Sequence, residues 1–295
     1  MIAQLGAILL PVFALAAIGY GWRRLGVPFD REFITRITLN VSGPCLIVDS
    51  LSRLETPGRG FLLMIGAAIA MWVATVGAGA VVLKLSGLSQ RSFLPALTIG
   101  NTGNMGLPLC LFAFGQEGLG LAVAVYVTNS VGQFTLTPML QSGTSPWRTL
   151  LTSPVVYGAA IGAIVLGFDL SLPDWIASTI NLLGNLLIPL MLIALGHTLG
   201  ALYARRLPFA FGWGAARLVL GFTVAWLVAE VAGLDGVAKG VLILQGTMPA
   251  AIFNYLFSAR YNRDPDDVAG IVLMSTLLSV VTLPLLLAYV LSLAP

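Results

Sequence analysis

Charge is scarce in this chain. Its 295 residues include 15 Lys and Arg and 12 Asp and Glu, 9% in all, against 58% hydrophobic residues. A soluble domain of this length carries far more charge on its surface, so the composition points to a polytopic membrane protein. Histidine is scarcer still, and one residue, His197, cannot furnish a histidine-based metal site. The two cysteines, Cys45 and Cys110, lie in apolar runs, too few and too isolated for a disulfide framework or a metal site, and read as small core residues. No apolar run holds adjacent carboxylates, which argues against a sodium–proton antiporter built on paired membrane acids. Gly77-Ala78-Gly79 lacks the strand-to-helix setting of a dinucleotide loop, and no catalytic constellation is present, so neither an enzyme nor a cofactor is expected. The net charge of +3 sits mostly in short loops, where it orients the chain and does not bind nucleic acid.

What the chain does have is apolar length. A helix needs about 20 apolar residues to cross about 30 Å of hydrocarbon. Ten runs qualify, at about 3–22, 34–52, 61–83, 93–114, 119–140, 150–168, 175–197, 208–230, 238–258 and 268–292. All ten are expected to be helices, because lipid offers no partners for open backbone groups. In the first run Arg23 and Arg24 follow the apolar stretch and no basic residue precedes it, the reverse of a cleavable signal, so it is expected to be a span with its amino end outside. On that orientation the inner loops hold Arg23, Arg24, Arg31, Arg36, Lys84, Arg91, Arg148, Arg205, Arg206, Arg260 and Arg263, and the outer loops Arg53, Arg59 and Lys239. Eleven against three favours both termini outside.

Prolines suggest a repeat. Pro11 and Pro154, Pro44 and Pro189, Pro108 and Pro249, and Pro138 and Pro284 are separated by 143, 145, 141 and 146 residues. NVSGPCLI at Asn40 to Ile47 also matches NLLIPLML at Asn185 to Leu192 in its Asn and Pro. Residues 1–145 and 146–295 are therefore expected to be two five-helix repeats. Five is odd, so the second repeat enters the membrane from the other side, giving the inverted architecture of many secondary transporters.

The fourth span carries Ile99-Gly100-Asn101-Thr102-Gly103-Asn104-Met105-Gly106-Leu107-Pro108. Pro108 removes a backbone donor and three glycines loosen the turn ahead of it, so the helix is predicted to break just before Pro108. The ninth span repeats the pattern, with Gln245 four residues before Pro249 as Asn104 is before Pro108. Two broken helices would then cross, with free N–H groups and the neutral amides of Asn101, Asn104 and Gln245 forming a site that suits an anion. Arg217, about ten residues into the eighth span, reads either as a counter-ion for a carboxylate or as a brace for broken-helix carbonyls. Asn129 and Gln133 share a face of the fifth span with Ser130 beside them, and Ser275 and Thr276 occupy the similar part of the tenth. These residues either line the crossing or bond between helices. Asn254 and Tyr255, one to two turns past Pro249, are further candidates. His197 reads as either an interfacial residue or a pH sensor, and Asp49 as either a solvated interfacial acid or a proton carrier.

GNTGNMGLPLCLFAFG from Gly100 to Gly115, RLVLGF from Arg217 to Phe222 and QGTMPAAIFNYLFSARYN from Gln245 to Asn262 resemble the auxin efflux carrier family. That family includes plant auxin exporters and bacterial permeases, and the resemblance covers essentially the whole chain. It implies a scaffold of spans 1, 2, 6 and 7, a mobile transport domain of spans 3–5 and 8–10, elevator-like movement and a homodimer. It also implies a small organic anion as substrate, such as a carboxylate or an auxin-like acid, and a bacterial plasma-membrane location. The expected substrate-binding residues are Asn101, Asn104, Pro108, Gln245, Pro249, Asn129, Gln133, Asn254 and Arg217. The alternatives are a sodium-coupled carrier resembling bile-acid symporters, a passive channel and a non-transporting receptor. Coupling to a proton or to sodium stays open.

Overall fold

The computed structural model describes residues 2–52, 59–143, 151, 153–168, 170–202 and 204–293. The orientation residues Arg53 and Arg148, and the expected boundary between residues 145 and 146, lie outside them. Among the described residues the regular structure is helical. It runs α1 (Ile2–Arg24), α2 (Arg31–Ile37), a π-helical turn (Thr38–Ser42), α3 (Gly43–Ser52), α4 (Arg59–Leu85), α5 (Gln90–Thr98), a second π-helical turn (Thr102–Gly106) and α6 (Leu107–Ser142). There follow α7 (Pro154–Gly167), α8 (Asp174–Asn185), α9 (Leu187–Leu199), α10 (Leu207–Val231), α11 (Gly236–Gly246), α12 (Ile252–Tyr261) and α13 (Pro265–Leu293). Six helical stretches among the described residues are long and apolar enough to cross a membrane, and Pro154–Gly167 and Gly236–Gly246 are shorter apolar helices.

The prolines leave a mark on several of these helices. Proline offers no N–H, and its ring presses on the carbonyl four residues back, which is Asn40 for Pro44 and Asn104 for Pro108. In both places the backbone widens to an i to i−5 turn just ahead: Gly43 N–H bonds to the Thr38 carbonyl and Leu107 N–H to the Thr102 carbonyl. At the position matching Pro44, the helix is interrupted between α8 and α9, three residues before Pro189. The break expected just before Pro108 therefore lies further upstream, at Ile99 to Asn101, because the wide turn absorbs the proline's demand without losing the helix. A corner at Gly115, with φ 66° and ψ −154°, divides α6 into two helices meeting at an angle, a conformation open to glycine alone.

Tight helix pairs surround the break. Helix α1 packs on α9, and a Cβ on Gly19 would lie 1.9 Å from the Ile193 carbonyl oxygen while one on Gly196 would lie 1.7 Å from that of Ala16. Only glycine permits that approach. Helix α3 packs on α7 and α8, whereas α10 packs on α13, α4 and α11, and α6 on α4 and α11. Ion pairs between Arg205 and Asp266 at 2.9 Å and between Arg206 and Asp267 at 3.0 Å join the entry to α10 with the first turn of α13. The two acids also favour that helix start electrostatically. At the other end of α10, Lys239 bonds Glu230 at 2.6 Å.

Candidate functional site

Helix α5 stops at Thr98, where Ile99 turns to extended backbone, and α11 stops at Gly246 with Ala251 extended before α12. The two extended pieces lie antiparallel. Asn101 N–H donates to the Pro249 carbonyl at 2.7 Å and Ala251 N–H to the Ile99 carbonyl at 3.1 Å, around a bridge between Gly100 and Ala250. The two predicted breaks thus meet and satisfy each other, a two-stranded contact inside an otherwise helical protein.

Side chains take up the backbone groups that the contact leaves over, as buried polar backbone requires. Asn129 Nδ2 donates to the Gly100 carbonyl at 2.9 Å and to Thr102 Oγ1 at 3.0 Å. Asn254 Nδ2 donates to the Ile99 carbonyl at 3.1 Å, and Gln133 Nε2 approaches Asn254 Oδ1 at 3.4 Å. Ser275 Oγ accepts from the Ala250 N–H at 3.1 Å. Arg217, 2% exposed, sends Nη1 to the Leu97 carbonyl at 3.4 Å and Nη2 to the Gly246 carbonyl at 3.2 Å. Its guanidinium therefore bridges the carboxyl-terminal ends of α5 and α11.

Two cavities flank the contact. One lies on the side of these carbonyl ends and is lined by Thr98, Arg217, Gln245 and Trp72 among others. The other lies where the new helices start and is lined by Asn101, Asn104, Asn129, Ser130, Gln133 and Tyr126 together with Leu39, Met191 and Phe253. Gly100, Thr102 and Asn129 belong to both walls. The second cavity thus receives the amino-terminal ends of the stretch from Thr102 and of α12, whose first N–H groups lack partners within the helix. Among the described residues, no carboxylate lines either cavity.

The expected site residues are divided by this geometry. Asn101, Asn104, Asn129 and Gln133 share the cavity on the amide side, and Arg217 and Gln245 stand on the carbonyl side with Asn129 between. Asn254 works inside the contact, its side-chain amide donating to the Ile99 carbonyl. Pro108 and Pro249 line neither cavity; Pro249 contributes its carbonyl oxygen and Pro108 sits in the first turn of α6. Asn101 Nδ2 and both amide atoms of Gln245 are buried without a hydrogen-bond partner. Gln245 lies against Gly106 of the other broken span, where a Cβ would come within 2.1 Å of Oε1.

Tyr126, Thr102, Leu39, Met191 and Trp72 are wall residues that sequence reasoning missed. Tyr126 was within reach of it, since it precedes Asn129, Ser130 and Gln133 on one helical face. Leu39 and Met191 belong to helices distant in sequence and gave no local signal. Ser275 serves the contact, while His197 lies elsewhere, stacked on Phe29 with ring centroids 4.5 Å apart. Asp49 is buried rather than solvated and accepts a bond from Asn181 Nδ2 at 3.0 Å.

Comparison with known proteins shows the family. The profile of the family described as membrane transport protein matches residues 137–287. An uncharacterized transporter of Methanothermobacter thermautotrophicus is 31% identical over 289 residues, covering 94% of this chain and 95% of that protein. A candidate malonate transporter of Rhizobium meliloti is 24% identical over 306 residues, covering 95% and 94%. Auxin efflux carrier component 1 of Arabidopsis thaliana is 29% identical over 153 residues, 48% of this chain and 24% of that protein. Apolar helices, a pair of broken helices joined at their breaks, and similarity along nearly the whole chain lead to one assignment: the protein belongs to the membrane transport protein family, integral membrane transporters that include the auxin efflux carriers and are not enzymes.

Proposed function

We propose that this chain is a secondary carrier of a small organic anion, a carboxylate or an auxin-like acid, bound in the cavity on the amide side of the broken-helix contact. The observation that carries the reading is the chemistry of that wall. It combines two helix amino-terminal ends with the neutral side chains of Asn101, Asn104, Asn129 and Gln133 and, among the described residues, contains no carboxylate. Each helix start is equivalent to about half a positive charge, so two together match about one negative charge. Each is worth about 0.3–1 kcal/mol at an exposed site and up to about 2 kcal/mol when partly buried, which suits a carrier that must also release its cargo.

The same reading takes the chain as ten spans in two inverted five-helix repeats, 1–145 and 146–295. The near-constant proline offset and the reciprocal use of two breaks support it. Spans 1, 2, 6 and 7 form a scaffold and spans 3–5 and 8–10 a transport domain that moves as an elevator. This division is supported by the packing of α1 on α9 and of α3 on α7 and α8, which is more extensive than the packing of α1 and α3 on α6. The amide-side cavity includes Leu39 and Met191 from the scaffold helices, so substrate would sit between the two bodies. A homodimer through the scaffold, in a bacterial plasma membrane with both termini outside, completes the proposal. The relative from Rhizobium meliloti makes malonate the first acid to try.

Proteoliposomes containing the purified protein should take up labelled malonate or indole-3-acetate in a saturable way that shows counterflow. Asn104→Ala should lower that uptake. Transport unaltered by the substitution would remove the site assignment, and conductance without saturation would make the protein a channel.

A further inference from the structure

The carbonyl side of the contact holds a full positive charge that the anion site does not use. Arg217 is 2% exposed, and its two terminal nitrogens reach the carbonyl oxygens of Leu97 and Gly246, one on each broken span. The guanidinium is held against bare backbone on two sides. A Cβ on Gly100 would lie 2.4 Å from Nη2, and one on Gly221 would lie 2.9 Å from Nη1.

Charge arithmetic decides what the group does there. Each helix carboxyl-terminal end carries about half a negative charge, so the ends of α5 and α11 together offset about one positive charge. Arg217 is thereby neutralised without a carboxylate and has no surplus with which to hold a substrate anion. Carbonyls at the ends of half-helices are also the groups that coordinate coupling cations in transporters with discontinuous spans.

We infer that Arg217 is a tethered cation occupying the carbonyl-lined position where a carrier coupled to a monovalent metal ion would bind that ion. Resting on the carrier reading above, this means that the anion moves without sodium, and that removing the guanidinium creates a cation requirement. The two carbonyl ends that would draw a second cation are already taken up by the guanidinium. Sodium therefore has no place at the contact while Arg217 is present. With a small residue at 217, the Leu97 and Gly246 carbonyls would be left as a vacant cation site.

The test uses the full chain in proteoliposomes with labelled malonate, comparing external sodium and choline at equal ionic strength. Wild-type uptake should be equal in the two salts. Arg217→Ala should lose at least about tenfold of its uptake, as expected when a buried charge is removed from its partners. Added guanidinium or sodium, but not choline, should restore a measurable fraction, a rescue that loss of packing alone would not permit. Arg217→Lys should retain more uptake than Arg217→Ala. Wild-type uptake that needs sodium, or a folded Arg217→Ala protein indifferent to every cation, would overturn the inference. If Arg217→Ala does not fold, thermal melting of the wild-type protein decides: a higher melting temperature in sodium chloride than in choline chloride overturns the inference, and equal values support it. Absence of malonate and indole-3-acetate uptake in all salts would instead count against the carrier reading, and the melting comparison would still test Arg217.

Discussion

The two sides of the broken-helix contact make an instructive pair, because one interruption of two helices creates both. On the carbonyl side Arg217 spans the helix-end carbonyls of Leu97 and Gly246, while its own Nε and both amide atoms of Gln245 stay buried without a partner. On the amide side the helix starts at Thr102 and Ile252 open toward a cavity walled by neutral amides and hydroxyls. A backbone break inside an apolar protein must be satisfied almost completely, yet a carrier needs some polar capacity left over for its cargo. Here a fixed side-chain cation takes up the helix-end carbonyls on one side, and the other keeps its helix-start donors available.

The difference can be broken from either side. The largest effect should come from Arg217→Leu, which leaves two buried carbonyls without donors and should lower stability by about 2–6 kcal/mol, at about 1–3 kcal/mol each. Thermal unfolding in detergent measures it, and a loss below about 1 kcal/mol would show that the arginine is no brace. Next comes Gly221→Ala. Its new Cβ would stand 2.1 Å from the Gly246 carbonyl oxygen, which is backbone and cannot swing away, so a loss of about 1–3 kcal/mol is expected. Gly106→Ala is its control, since the atom met at 2.1 Å is the side-chain oxygen of Gln245, which can rotate, and the cost should be smaller.

Within the contact, Ser275→Ala removes the acceptor of the buried Ala250 N–H and should cost about 1–2 kcal/mol in the same assay. The smallest stability effect belongs to the amide side. Asn104 is half-buried on the cavity wall, so Asn104→Ala should change stability by no more than about 0.5 kcal/mol while still reducing malonate uptake. Asn101→Asp sharpens the point, because a carboxylate there should repel an anion and abolish uptake in a protein that still folds. Uptake that survives Asn101→Asp would move the binding site elsewhere.

How far the sequence could be read varied with how local the cause was. Helix breaks near Pro108 and Pro249 were legible because proline and glycine act within a turn of themselves. Their positions were less so: at Pro108 a π-helical turn moved the extended residues upstream to Ile99 to Asn101, a choice made by the partner strand. The shared face of Asn129 and Gln133 was visible from helical spacing, but their bonding partners, the Gly100 carbonyl and Asn254, come from other helices. Asp49 looked solvated by its place near a span end and is instead buried against Asn181, a neighbour 132 residues away.

Composition and periodicity by themselves determined that this chain is an all-helical membrane protein with two interrupted spans, since both follow from apolar length and from prolines acting locally. Matching motifs extended that to the transporter family. Tertiary structure alone decided that the interruptions pair with each other, that Asn101 and Gln245 fall on opposite sides of the pair, and that Arg217 faces helix carbonyls. The physical reason is that a hydrogen bond needs its partner within about 3.5 Å, and in a folded chain that partner can lie more than a hundred residues away.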